Sequence, residues 1–114
     1  DRGNSFIANR YNPLSRPFLR ALREIVRAAE RHDMPLYLCG EMASEPLTAL
    51  AVVAVGYRAL SMPPGSLGPV KEMVRSIDLA DISAKVNDAL DETRPAQTMM
   101  EILMDYTDQR GIPV

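Results

Sequence analysis

At 114 residues, 46% hydrophobic and 25% charged, the chain has the material for one small domain around one core and is too apolar for a disordered tail. A net charge of -2 gives no basic excess, so a dominant polyanion-binding role is disfavoured at the level of the whole chain and no nucleic-acid partner is expected. One cysteine and one histidine exclude an internal disulfide and a zinc cluster, and the longest apolar run, Leu47 to Val55, is about half the length of a membrane span.

With no tryptophan, two Phe and four Tyr, the core must be built from Leu, Val, Ile, Ala and Met, and a helix-rich fold is expected. No signal or transit segment opens the chain, and a first residue that is Asp rather than Met suggests a piece of something longer. Residues 1 to 14 hold Gly3, Asn4, Asn9, Asn12 and Pro13 and read as a loop anchored by Phe6 and Ile7. A helix follows, with Ser15 as its N-cap, Pro17 in its first turn and an apolar stripe of Phe18, Leu19, Leu22, Ile25, Val26 and Ala29. His32 and Asp33 close it before Pro35.

Leu36-Tyr37-Leu38-Cys39 reads as a strand buried on both faces of a parallel sheet, stopped by Gly40. Ser44 is expected to cap a second helix, about Glu45 to Val55, apolar nearly all round and therefore packed on several sides. Gly56 ends it, and Tyr57 to Met62 reads as a second strand, completing a right-handed strand–helix–strand crossover. Pro63-Pro64-Gly65 turns the chain, and Ser66 or Leu67 opens a third helix through Val70, Met73, Val74 and Ile77. Asp78 begins a fourth with Asp81 as the N3 acid of a capping arrangement. Thr93-Arg94-Pro95 is expected to start a fifth, which Gly111 ends.

Charge is uneven. Residues 1 to 31 carry seven arginines against Asp1, Glu24 and Glu30, and residues 78 to 114 carry eight acids against Lys85, Arg94 and Arg110. Two readings are open: solvated faces of two helical regions, with the arginines at 16 to 31 on a helix exterior, or an attraction between the two ends, within the chain or across an oligomer. Two strands are also too few for a buried parallel sheet, so the pattern reads as the tail of a larger β/α array.

Asp1-Arg2-Gly3-Asn4, Tyr11-Asn12-Pro13-Leu14, Cys39-Gly40-Glu41-Met42-Ala43 and Leu60-Ser61-Met62, in this order, resemble the C-terminal end of Enzyme I of the bacterial phosphotransferase system, the phosphoenolpyruvate-protein phosphotransferases. Gly56 to Met62 and Leu19 to Leu22 lean toward the nitrogen-regulatory paralogue. The resemblance implies an α/β fold, the C-terminal fragment of a (β/α)8 TIM barrel: residues 1–114 would supply the loop after strand six through strand eight and the closing helices. It implies that Arg2 binds the phosphate of phosphoenolpyruvate and that Cys39 protonates the enolate to give pyruvate. A guanidinium fork suits a phosphate, and a free thiol, with a pKa of about 8.5, is mostly protonated at neutral pH and can act as an acid. Gly40 and Glu41 would support Cys39, Glu41 through its negative charge. The resemblance further implies Mg²⁺ in the full-length parent, held by carboxylates outside this chain, a histidine phosphocarrier as partner, a homodimer, and a cytoplasmic protein with no membrane partner. The chain alone is expected to be inactive. Three departures stand out: Ser44-Glu45 where Gly-Asp is usual, Arg16 where proline is usual, and Pro63-Pro64 after Ser61-Met62; a serine at the first is expected to be poorly tolerated. A pyruvate phosphate dikinase or phosphoenolpyruvate synthase fragment, and a non-catalytic helical interaction module, are the alternatives.

Overall fold

The computed structural model describes residues 12–114. Along the chain lie α1 (Arg16–Arg31), β1 (Leu38–Cys39), α2 (Glu41–Ser44), α3 (Pro46–Val55), β2 (Leu60–Ser61), α4 (Pro64–Ser76), α5 (Leu79–Asp91) and α6 (Met99–Arg110). The architecture is helix-rich with one small parallel sheet, in which Leu38 pairs with Leu60 and Cys39 with Ser61. No helix among the described residues is long and apolar enough to cross a membrane.

The core grows around α3. Seven of its ten residues, Ala49 to Val55, are buried, as a helix without a polar face requires. Leu19, Leu22 and Val26 of α1 pack on it, with Val70 and Met73 of α4, Ile82, Val86, Ala89 and Leu90 of α5, and Leu103 and Tyr106 of α6. Gly56 ends α3 at φ 128°, and a Cβ there would stand 2.7 Å from Cγ1 of Val26, so only glycine fits both the backbone and the space. Tyr57 follows, buried, its hydroxyl donating to the carbonyl of Leu22 (3.3 Å).

Several boundaries differ from expectation. The strands are two residues each rather than four and six, and Leu38 is half-buried with Cys39 exposed, because both outer edges of the pair are open and no third strand covers them among the described residues. Tyr37, expected inside, is 68% exposed for the same reason. Ser44 does not cap α3. It ends the single turn α2, and Glu45 occupies the N-cap position with Pro46 behind it. Helix α4 starts at Pro64, since the fixed φ of proline suits a first turn whose N–H groups have no partner anyway. Helix α6 starts at Met99 with Thr98 as its N-cap, not at Thr93. Thr98 Oγ1 accepts from the Glu101 N–H (3.1 Å) while the Glu101 carboxylate accepts from the Thr98 N–H (3.0 Å), a reciprocal cap that Thr93-Arg94-Pro95 cannot make. Asp78 behaves as expected, accepting from the Asp81 N–H (3.2 Å), but the Asp81 carboxylate pairs with Arg110 across to α6.

Of the arginines of α1, Arg27 and Arg31 are exposed, as a solvated face requires, but Arg16, Arg20 and Arg23 are not. Arg16 Nε donates to the Ala89 carbonyl (3.1 Å) and its guanidinium reaches Gln97 O (2.7 Å), while Arg20 Nε donates to Leu90 O (2.6 Å). Arg23 is buried, donating to Asn87 Oδ1 (3.2 Å) and pairing with Asp91 (2.8 Å). The Ala89 and Leu90 carbonyls end α5, the negative pole of the helix, where guanidinium groups satisfy acceptors that the helix itself leaves open. Direct pairing of the basic and acidic ends within the chain is seen at Arg23 and Asp91, while Arg16 and Arg20 meet backbone carbonyls.

Candidate functional site

Strand β1 and the core set the place of Cys39. Pairing to β2 brings it beside Ser61 at the carboxyl end of the parallel pair, where α/β folds gather their chemistry. Both residues are exposed, and the thiol is free. Gly40 follows at φ 106°, a left-handed conformation that a side chain would strain, although no atom lies within 4 Å of where its Cβ would be. The need for glycine here is thus conformational, not steric. The turn it makes delivers Glu41 to the start of α2, exposed, with Met42 and Ala43 buried behind it as apolar anchors.

Hydroxyl groups complete the turn. The Gly40 carbonyl accepts from the Ala43 N–H (3.2 Å) and from Ser44 Oγ (3.1 Å). Thr48, in the first turn of α3, sends its hydroxyl back to the Met42 carbonyl (2.7 Å) and lies 3.1 Å from Glu45 O. Ser44 has ordinary helical backbone: Asp33 is the one non-glycine residue with positive φ among those described. The expected intolerance of serine at this position is therefore corrected; the side chain adds a hydrogen bond without strain. Sequence reasoning missed both hydroxyls as supports of Cys39, and the signal available was only their type and their closeness to it.

A shallow hollow beside the turn is lined by Pro13, Glu41, Met42, Glu45 and Thr48. Its lining holds two carboxylates and no cation, so these residues cannot hold the phosphate of an anionic substrate. Pro13 comes from the Tyr11-Asn12-Pro13-Leu14 segment, Glu41 from Cys39-Gly40-Glu41-Met42-Ala43, and Ser61, the register partner of Cys39, from Leu60-Ser61-Met62. Three motifs distant in sequence therefore meet at one end of the sheet. Arg2, the expected phosphate ligand, lies outside the described residues. Among those described, no three His, Cys, Asp or Glu side chains come together as a metal site. His32 is exposed at the end of α1, its N–H donating to the Ala28 carbonyl.

Comparison with known proteins identifies the family. Residues 1–79 match the family model described as PEP-utilising enzyme, PEP-binding domain. A protein of Salmonella typhimurium named phosphoenolpyruvate-dependent phosphotransferase system is 36% identical over 112 residues, 98% of this chain and 15% of that protein. Its Escherichia coli namesake is 37% identical over 112 residues with the same coverage, and a phosphoenolpyruvate-protein phosphotransferase of Haemophilus influenzae is 27% identical over 97 residues, 85% of this chain and 17% of that protein. The chain thus spans about 15% of the length of the first two relatives. With more than half of its residues inside the family match and its motifs gathered at the mouth of a parallel strand pair, the chain belongs to the PEP-binding domain family of PEP-utilising enzymes.

Proposed function

We propose that the chain is the C-terminal part of the (β/α)8 phosphoenolpyruvate-binding barrel of a phosphoenolpyruvate-protein phosphotransferase, with β1 and β2 as the last two barrel strands and residues 1–114 as one partial domain. The observation that carries this reading is the convergence of Cys39, Ser61 and the hollow beside Glu41 at the carboxyl end of a parallel pair whose edges are open to further strands. The names of the relatives support the choice of reaction. Gly56 to Met62 and Leu19 to Leu22 favour the nitrogen-regulatory branch.

In this reading the phosphorus–oxygen bond of phosphoenolpyruvate breaks, the phosphoryl group passes to a histidine elsewhere in the longer protein and then to a phosphocarrier, and the enolate of pyruvate remains. Cys39 gives its thiol proton to carbon 3 of the enolate, the C–H bond forms as the C–O⁻ collapses to a carbonyl, and solvent reprotonates the thiolate. Arg2 grips the phosphate. In this reading Mg²⁺ would be held by carboxylates in other parts of the longer protein, and no step here runs through it. The protein works as a cytoplasmic homodimer, and the chain alone, with Arg2 as its one phosphate-binding arginine and Cys39 as its one thiol, transfers nothing.

The test is Cys39→Ala in the full-length protein. Phosphohistidine should still form from phosphoenolpyruvate, because phosphoryl transfer depends on positioning and charge neutralisation that the thiol does not supply. Pyruvate release should slow, and phosphoenolpyruvate stereospecifically tritiated at carbon 3 should lose its stereochemical outcome in deuterium oxide. Arg2→Lys should instead impair phosphohistidine formation itself. Normal pyruvate rate and stereochemistry in Cys39→Ala would withdraw the assignment.

A further inference from the structure

We propose that Thr48 is a positioning residue for Cys39, holding the turn that carries it against the rigid core helix, with Ser44 as the second catch on the same turn. The inference rests on the assignment of Cys39 as proton donor. Helix α2 is one turn long, too short to hold its own shape, since a single turn fixes several dihedral angles for one hydrogen bond. Something outside it must set its orientation. Buried Met42 and Ala43 fix its depth, but apolar contacts are not directional.

The directional contacts are the two hydroxyls. A threonine hydroxyl has one proton, and the 2.7 Å contact to Met42 O against 3.1 Å to Glu45 O places that proton on Met42. It therefore spans six residues, from the first turn of α3 back into α2, satisfying a carbonyl that a one-turn helix leaves open. Helix α3 is the most deeply buried element, so Thr48 ties the Gly40 turn to the least mobile part of the fold. Ser44 closes the other end onto the Gly40 carbonyl, one peptide from Cys39. Proton transfer to carbon needs the donor placed to within about 0.5 Å, and an error of about 1 Å can cost a hundredfold, so a loosened turn should be felt in enolate protonation first. Phosphoryl transfer, which the thiol does not serve, should not feel it.

The experiment uses the full-length protein with Thr48→Val, which keeps the shape and removes the hydroxyl, Thr48→Ser, which keeps the hydroxyl, and Ser44→Ala, with Cys39→Ala as reference. Thr48→Val should slow pyruvate release about tenfold and scramble the stereochemistry at carbon 3, with the rate of phosphohistidine formation within twofold of the parent. Thr48→Ser should restore both, and Ser44→Ala should act in the same direction more weakly. Should Thr48→Val not fold, Ser44→Ala, at a half-buried site, carries the test. Equal losses in both chemical steps, failure of Thr48→Ser to restore, or parent-like stereochemistry in both Thr48→Val and Ser44→Ala while Cys39→Ala scrambles it, each overturns the proposal alone. Parent-like stereochemistry in Cys39→Ala itself overturns the proton-donor reading and this inference with it.

Discussion

Gly56→Ala is the substitution the fold should tolerate least. At φ 128° a side chain is strained, at a cost of about 1–3 kcal/mol. The new methyl would also stand 2.7 Å from Val26 Cγ1, with Cβ and Cγ2 of the same residue at 3.6 Å. Val26 is buried on α1, which is itself fixed by three arginines, so the neighbour cannot retreat cheaply, and overpacking adds roughly 1–3 kcal/mol. The sum, about 2–6 kcal/mol, should lower Tm by about 10 °C or more for a domain of this size. Urea and thermal unfolding followed by circular dichroism measure it. The two components separate in a double-mutant cycle with Val26→Ala, which removes the obstructing methyls and leaves the backbone strain, so the pair should show a favourable coupling of about 1–3 kcal/mol. A Gly56→Ala protein within about 0.5 kcal/mol of the parent, or strict additivity in the cycle, would refute the reasoning.

Two further outcomes are expected. Arg23→Met should cost less than Arg23→Ala, because methionine keeps most of the buried stem and removes a guanidinium whose Nε has no partner, while Asp91, 64% exposed on its side chain, returns to water; about 1 kcal/mol against about 2–3 kcal/mol in urea titration, and equal losses would show that the ion pair dominates. The Thr98 N–H and side chain hold the Glu101 carboxyl below its ordinary pKa, so its contribution to stability is present above the usual glutamate range and is lost as pH falls through the lowered folded value; the stability gap between the parent and Glu101→Gln should close on acidification, and a gap unchanged between pH 7 and pH 3 would refute it.

How much of this was legible depends on the range of the interaction. Periodicity located the buried stripe of α1 at Leu19, Leu22 and Val26, and the polarity of Leu47 to Val55 located a helix surrounded by core. Ile25, in the same stripe, is 49% exposed, because the stripe is narrower than the residue spacing suggested. Gly56, Gly111 and Asp78 were readable since their conformational roles are local. The start of α6 differs from the expected Thr93-Arg94-Pro95, although Thr98-Met99-Met100-Glu101 has the spacing of a reciprocal cap. What could not be read was long-range. Nothing at Arg16, Arg20 or Arg23 announces a helix end some seventy residues later, and a hydroxyl at position 48 carries no mark that it returns to Met42. The Cys39 motif was legible as a pattern, whereas its meeting with Pro13 and Ser61 is a product of the crossover.

The guanidinium contacts of α1 bear on where this unit can be cut. The family match stops at residue 79, where α5 begins, yet the acceptors for Arg16, Arg20 and Arg23 all lie on residues 87–97. A truncation at the family boundary would leave three cations facing carbonyls that are no longer there. It would also strip Ile82, Val86, Leu90 and Leu103 from the wall of α3. The family model is therefore shorter than the folding unit, whereas the relatives align over 98% of the chain: the carboxyl-terminal helices are part of the smallest piece that could hold Cys39 in place.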